Sequence, residues 1–317
     1  MTRVLITGGF GYVGGRLAVH LSRRPAIEIT LGTRMPSVAQ WLPSATVART
    51  DWQSEARLRD VCNGIDSIVH LAGMNAQDCA ADPVGALEIN AVATARLVRA
   101  AATAGVRRFI YVSTAHVYGS PLQGTVDEST CPMNLHPYAT SHLAGEHTVG
   151  RAHEKKDIEG ISVRLSNAFG APADLRADCW SLLVNALCRQ AVVSCRMELA
   201  TPHARRDFLP MRDACAAIEY LLDCDASMLG DGIFNVGSGR TMSVAEMAQT
   251  IASVCERTLG YRPEIISAAS DAGVAHLPLQ YRSDKLLGLG FTPTHDMPAE
   301  IAATLQLFAA NKEQLTS

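Results

Sequence analysis

The stretch Thr7-Gly8-Gly9-Phe10-Gly11-Tyr12-Val13-Gly14 constrains this chain more than any other, because its glycines separate an apolar run from an amphipathic segment. Arg3-Val4-Leu5-Ile6-Thr7 reads as a buried parallel strand. Val13, Leu17, Ala18 and Leu21 then recur at helical spacing until Pro25 stops the pattern. Between them, Gly8, Gly11 and Gly14 permit a tight turn, a close backbone approach to a pyrophosphate and close packing of helix on strand. The start of the helix adds free N–H groups and the positive end of its dipole. A phosphate-cradling turn made by Gly8, Phe10, Gly11, Tyr12, Val13 and Gly14 is therefore expected. The competing reading is a plain strand-to-helix turn.

The pattern continues as strands alternating with helices. Apolar runs at Ile27–Leu31, near Thr46–Ala48, at Ile65–Leu71, Phe109–Val112 and Ile161–Leu165 predict five further strands. An alanine-rich helix is expected from about Pro83 to Ala104, and another from Pro137. This order predicts an α/β fold: a Rossmann-type doubly wound parallel sheet with a smaller C-terminal lobe. Residues 1–165 would hold the dinucleotide and 166–317 the substrate, with segments of the second lobe returning to the first. Helical segments are expected near 178–194, 212–223 and 243–259.

The dinucleotide reading has a second test about 20 residues on, where a carboxylate would bind a ribose 2′-hydroxyl. That position is Gly32, and Arg34 follows. Loss of the carboxylate removes repulsion against a 2′-phosphate, and a guanidinium can bind one bidentately. The balance favours NADP over NAD, the alternative for Arg34 being plain solvation. Asp51, just after the third strand, is placed to accept from an adenine amino group or to sit in a surface turn.

Bulk properties exclude other classes. A net charge of -3 gives no general attraction to nucleic acid or anionic membranes. Nine cysteines, odd in number and irregular in spacing, predict free thiols in a reducing compartment. Neither a CxxC pair nor a Cys/His cluster has zinc spacing, so no metal is expected. His136, His142, His147 and His153 also lack it. The chain opens directly on its first strand, and no apolar run approaches ~20 residues. A cytoplasmic protein without membrane contact is the expectation.

Three further stretches combine with the glycine turn: Val69-His70-Leu71-Ala72-Gly73, Tyr111-Val112-Ser113-Thr114-Ala115-His116-Val117-Tyr118-Gly119, and Pro137-Tyr138-Ala139-Thr140-Ser141-His142-Leu143-Ala144-Gly145-Glu146. Together they closely resemble the extended short-chain dehydrogenase/reductases, the NAD(P)-dependent nucleotide-sugar epimerases, reductases and dehydratases. The resemblance continues through Asn90, Arg164 to Gly170, Arg206-Asp207-Phe208, Phe234 to Gly239 and Lys285 to Phe291. It implies Tyr138 as proton donor or acceptor at the reacting oxygen, with Thr114 bonded to the same oxygen. It places Leu71, Ala72, Gly73 and Asn90 with Tyr138 and His142 about the cofactor. Asn167, Arg206 and Arg282 would lie near a substrate diphosphate, with His116 on the pocket wall or in a proton relay. A homodimer through helices near 83–104 and 137–154 is implied as well.

One departure matters. Four residues after the tyrosine the family has lysine, and this chain has His142. Bringing a phenol from a pKa of about 10 to near 7 needs roughly 4 kcal/mol. A cation about 4 Å away supplies on the order of 4 kcal/mol at an effective dielectric of 20. A neutral imidazole supplies no net charge. The readings left open are a weaker or acid-shifted enzyme, a different base arrangement, and a dinucleotide-binding protein without catalysis. The family's 4,6-dehydratases carry Asp-Glu after the threonine; here Ala115-His116 stands there, which disfavours that elimination. Epimerisation or ketone reduction of a nucleotide sugar is the expected activity, with a non-sugar carbonyl as the alternative substrate. Arg205-Arg206-Asp207 has a second reading as a surface ion cluster.

Overall fold

A computed structural model of the chain describes residues 1–35, 38–267 and 278–313, and every candidate site residue lies within them. Seven parallel strands form the central sheet: β1 (Thr2–Thr7), β2 (Ile27–Thr33), β3 (Thr46–Arg49), β4 (Ser67–His70), β5 (Arg108–Thr114), β6 (Glu159–Leu165) and β7 (Ile233–Val236). Their spatial order is β7-β6-β5-β4-β1-β2-β3. All of β4 and β5 is buried, as continuous apolar strands covered on both faces must be. The chain order reverses between β1 and β4, where Thr7 pairs with His70. At such a switch point the strand ends leave a crevice.

One face of the sheet is covered by the Tyr12–Leu21 helix, whose Leu17, Ala18 and Leu21 pack with Ile218 and Leu221 of the Met211–Asp223 helix. The other face buries Leu58, Leu97, Phe109, Tyr111 and Val149. A separate cluster of Phe169, Leu187, Phe208, Met247, Ile251, Ile301 and Phe308 forms the core of the second lobe. Its Val244–Leu259 helix opens on a capping box, Ser243 with Glu246, and closes on Gly260 in the left-handed conformation. β7 returns to the central sheet and pairs with β6.

The two lobes are joined by polar contacts at the first helix. The Tyr12 hydroxyl donates to the Gly170 carbonyl at 2.8 Å, and Arg16 lies 2.7 Å from the buried Glu300.

Two helices differ from the sequence expectation. The stretch 83–103 is interrupted by a π-helical segment, Glu88–Ala93. Asn90 within it has its carbonyl taken by the Thr94 hydroxyl at 2.7 Å and the Tyr111 hydroxyl at 3.3 Å, the kind of side-chain competition that accompanies such bulges. The helix expected near 178 begins at Leu183, because Leu182 is extended and ends a turn. The helices Glu55–Cys62 and Met297–Ala310 were not anticipated. No helix among the described residues is long and apolar enough to cross a membrane.

Candidate active site

At the carboxyl ends of β1, β4, β5 and β6 lies a cavity of about 430 Å³ between the sheet and the second lobe. It gathers Gly8, Gly11, Tyr12, Val13 and Gly14 with Leu71 and Gly73, then Thr114, His116, Tyr138 and His142, and finally Asn167 and Arg206. Residues as far apart in sequence as Gly8 and Arg206 thus meet because the parallel strands all end on one side.

The glycine turn has no room for side chains. Gly8 has φ 68, and a Cβ at Gly14 would stand 2.3 Å from the Gly8 carbonyl oxygen. The helix that follows has Gly11 at its N-cap with no side-chain cap, so its first N–H groups face the cavity uncovered by a side chain. Phe10 turns away and packs edge-on against Trp41, ring centres 6.0 Å apart.

Beyond the turn a buried chain of hydroxyl and imidazole groups supports the floor. Thr7 Oγ1 lies 2.6 Å from His70 Nδ1, and His70 Nε2 lies 3.0 Å from Thr94 Oγ1, which itself donates to the Asn90 carbonyl. Burial, then the neighbouring His142, lowers the His70 pKa to about 3, so this imidazole is neutral. Asn90 does not line the cavity. Its amide is spent on the Met74 N–H at 2.8 Å and the Ser141 hydroxyl at 3.0 Å, which makes it a brace for the wall.

Tyr138 and His142 sit one turn apart on the Pro137–Glu154 helix, their rings edge to face with centres 4.6 Å apart. His142 Nδ1 lies 2.9 Å from the Tyr111 hydroxyl. Burial lowers the His142 pKa to about 4. Burial also raises the Tyr138 phenol above its ordinary value, with the Thr114 hydroxyl opposing and the Cys79 thiol adding. Thr114 ends β5 and its Oγ1 accepts the His116 N–H at 3.1 Å. His116 is held below its usual pKa by burial and then by Arg206.

Arg206 stands out electrostatically. Its neighbour Arg205 bonds the Thr241 carbonyl at 2.9 Å and lies 3.7 Å from Glu246. Asp207 is fully buried and takes the Ser166 hydroxyl at 2.6 Å and the Ser238 N–H and hydroxyl at 2.8 Å each. Arg206 has no ion pair or side-chain hydrogen bond among the described residues, and burial lowers its pKa. The reading of Arg205-Arg206-Asp207 as one surface cluster therefore fails: the three side chains go three ways. Among the described residues no carboxylate lines the cavity. Asn167 spends its Nδ2 on the Asp207 carbonyl at 3.0 Å and keeps its oxygen.

Four sequence candidates lie outside the cavity lining besides Phe10 and Asn90. Ala72 gives way to its neighbours Leu71 and Gly73, while Arg34 is exposed beyond β2. Asp51 accepts the Gln53 N–H at 3.2 Å. Arg282 pairs with Asp284 in a separate shallow depression with Asp127, Glu128, Asp231 and Lys285, so the structure does not bring it to Arg206. Conversely, Met74, Asn75, Ser113, Ser166, Phe208 and the turn Ser181–Val184 line the cavity without having been singled out. The signal for Ser181–Val184 was an uncapped helix start, hidden because residues 178–182 read as helix.

Further along the Pro137–Glu154 helix, Glu146 forms a buried pair with Arg164 of β6, Arg164 Nη2 lying 2.6 Å from Glu146 Oε2. Ser113 donates to Glu146 at 2.5 Å, and Arg164 donates to the Tyr118 hydroxyl at 2.8 Å.

The family model for the NAD dependent epimerase/dehydratase family matches residues 4–237. UDP-glucose 4-epimerase of Streptomyces lividans is 28% identical over 280 residues, covering 84% of each chain. Among solved structures, Thermus thermophilus UDP-glucose 4-epimerase, in complex with NAD, superposes with a TM-score of 0.79 at 22% identity, over 97% of this chain and 99% of that one. RMD from Pseudomonas aeruginosa, complexed with NADPH, gives 0.79 at 22% identity over 98% and 100%. The seven-stranded sheet, the glycine turn and these matches agree: the chain belongs to the NAD dependent epimerase/dehydratase family of the extended short-chain dehydrogenase/reductases.

Proposed function

We propose that this chain is an NAD(P)-dependent epimerase or ketoreductase of a nucleotide sugar, with Tyr138 as the proton-transferring group. The observation that carries the sugar nucleotide is Arg206, an unpaired, partly buried guanidinium in the same cavity as Tyr138. A desolvated cation without a partner is costly unless a ligand supplies the anion, and a diphosphate fits a guanidinium fork. The uncapped start of the Leu183–Ser194 helix lies in the same lining and favours the same charge. The cavity's lack of carboxylates fits an anionic ligand and leaves no acid–base pair for eliminating water, which disfavours a 4,6-dehydratase.

The glycine turn fits a dinucleotide, since the space a Cβ would fill at Gly14 is closed by backbone. When bound, the nicotinamide supplies the hydride chemistry. The chain's own parts are then distinct. Gly8, Gly11 and Gly14 bring N–H groups to the pyrophosphate, Thr114 and Tyr138 face the reacting oxygen, and neutral His142 orients by hydrogen bonding without adding charge. NADP is favoured over NAD. A side chain at Gly32 would meet Thr50 Cγ2 at 2.9 Å and Thr7 Cα at 3.3 Å, which bars a ribose-binding carboxylate, while Arg34 is exposed beside it.

Two measurements test these assignments. Replacing Gly14→Ala forces the turn apart, and an overpacking cost of about 1–3 kcal/mol is expected to weaken dinucleotide binding by roughly 5- to 150-fold in a calorimetric titration. Unchanged affinity would remove the turn from the site. Arg206→Met is expected to weaken binding of a nucleoside diphosphate sugar by roughly 10- to 150-fold, the worth of a charged hydrogen bond, with dinucleotide affinity unaltered. If nucleotide-sugar affinity is indifferent to Arg206, the non-sugar carbonyl becomes the better reading.

A further inference from the structure

The geometry points to Tyr138 acting as a protonated phenol, a proton donor to a carbonyl oxygen, so that at neutral pH the site reduces a keto form of its substrate while oxidation of the alcohol is held to the small ionised fraction. This rests on the reading of the cavity as a hydride-transfer site and goes beyond it by assigning the direction and the oxidation state of the substrate.

The inference follows from what faces Tyr138 on each side. On its own helix, His142 packs edge-on against the ring and is tied through Nδ1 to Tyr111 of β5. Glu146, one turn further, is consumed by Arg164 and Ser113, and Arg164 is thereby neutralised. From the Ala76–Ala81 helix comes Cys79, a buried thiol. β4 offers His70, locked between Thr7 and Thr94 and neutral. Thr114 adds a hydroxyl, and His116 beyond it is kept from charging by burial and Arg206. Among the described residues Arg206 is the one guanidinium that lines the cavity. Its field falls on His116 and is not among the influences on Tyr138. The four lysines of the chain, Lys155, Lys156, Lys285 and Lys312, all lie outside the cavity lining. Among the described residues no cation beside the phenol stabilises a tyrosinate; the Thr114 hydroxyl favours it, and burial outweighs that.

The consequence is one-sided. A phenol with a pKa of 10 is ionised to about one part in 10³ at pH 7, and burial raises this phenol further. Oxidising an alcohol requires the ionised form as base, whereas reducing a carbonyl requires the protonated form, which is nearly all of it. In the reductive step the carbonyl carbon accepts a hydride from a dihydronicotinamide, forming the new C–H bond. The C=O π pair moves to oxygen, which takes the Tyr138 proton as the O–H bond forms. The carbonyl is reduced, the dihydronicotinamide is oxidised, and the tyrosinate regains its proton from water in the open cavity. An epimerase cycle that begins by oxidising an alcohol is disfavoured by the same factor. The reaction preceding this one must therefore be of the class that creates a carbonyl on the sugar.

The test reads ionisation without any ligand. Carbon-13 labelling of the tyrosine ring carbon that bears the hydroxyl, with Tyr138→Phe identifying the signal, gives the Tyr138 titration in the full-length protein. The expected result is a phenol still protonated at pH 9, and in His142→Lys a midpoint lowered by on the order of three pH units. A wild-type Tyr138 that ionises below about pH 8 overturns the inference even if the lysine variant fails to fold. With NADPH and a keto nucleotide sugar, reduction should be flat from pH 6 to 8. Oxidation of the alcohol should rise about tenfold per pH unit; equal, pH-independent rates in both directions also overturn it. Failure of the underlying reading looks different: no binding of NAD or NADP, with the Tyr138 titration unaltered.

Discussion

Tyr138→Phe is expected to lose about 10²- to 10⁴-fold in turnover, the range for removing a positioned proton-transfer group, while binding dinucleotide within a few-fold of the wild type. The ring's packing against His142 survives the substitution, because only the hydroxyl is removed. The loss should therefore fall on kcat and not on KM. Nicotinamide absorbance under saturating substrate measures it. A variant that keeps more than about a tenth of the activity would show that the proton travels by another group. His142, His116 and Thr114 share the cavity and are the candidates.

The second large effect is on stability. Glu146→Leu strands the Arg164 guanidinium, whose side chain is 4% exposed, without its carboxylate. Removing one partner of a buried pair costs about 3–5 kcal/mol. At roughly 2–4 °C per kcal/mol for a chain of this class, melting should drop by about 10 °C. The double variant Glu146→Leu with Arg164→Met should recover most of that, because removing both charges also removes the desolvation cost. Thermal melts of the four proteins form the cycle. A single variant within about 1 kcal/mol of wild type would mean that water reaches Arg164. Ser113 bonds Glu146 beside Thr114, so the same variant is also expected to lower turnover, coupling the core to the strand that carries Thr114.

Much of the site could be read along the chain because its parts are local. The glycine spacing, the strand before it and the helix after it lie within 21 residues, and each piece implies the next. The spacing of Tyr138 and His142 is likewise a one-turn relation on a single helix. The loss of the lysine was visible as a residue type, and its meaning for charge needed only the intrinsic pKa of histidine. Its depth was not visible. The shift of His142 to about 4 comes from burial, and the group bonded to it, Tyr111 of β5, lies 31 residues away in sequence.

The second lobe was less legible. Arg206 and Arg282 look alike in sequence, both arginines preceding helices. Arg206 ends in the cavity because Asp207 is drawn away by Ser166 and Ser238, whereas Arg282 is paired off by Asp284 two residues later. The first competition involves residues up to 41 positions apart. The π-helical segment at Glu88–Ala93 was also hidden, because alanine-rich sequence has no local preference against an ordinary helix, and only the Thr94 and Tyr111 hydroxyls mark the bulge.

The sequence by itself determined the alternating strands and helices, the glycine turn between the first strand and helix, and the placing of Tyr138 one turn before His142. Each depends on spacing within one or two elements. Only the tertiary structure decided which arginine lacks a counter-ion and that no carboxylate lines the cavity, both among the described residues, and that the imidazole beside Tyr138 is desolvated. Charge and solvation are set by whatever packs across a gap, and parallel strands bring to that gap residues that no local pattern connects.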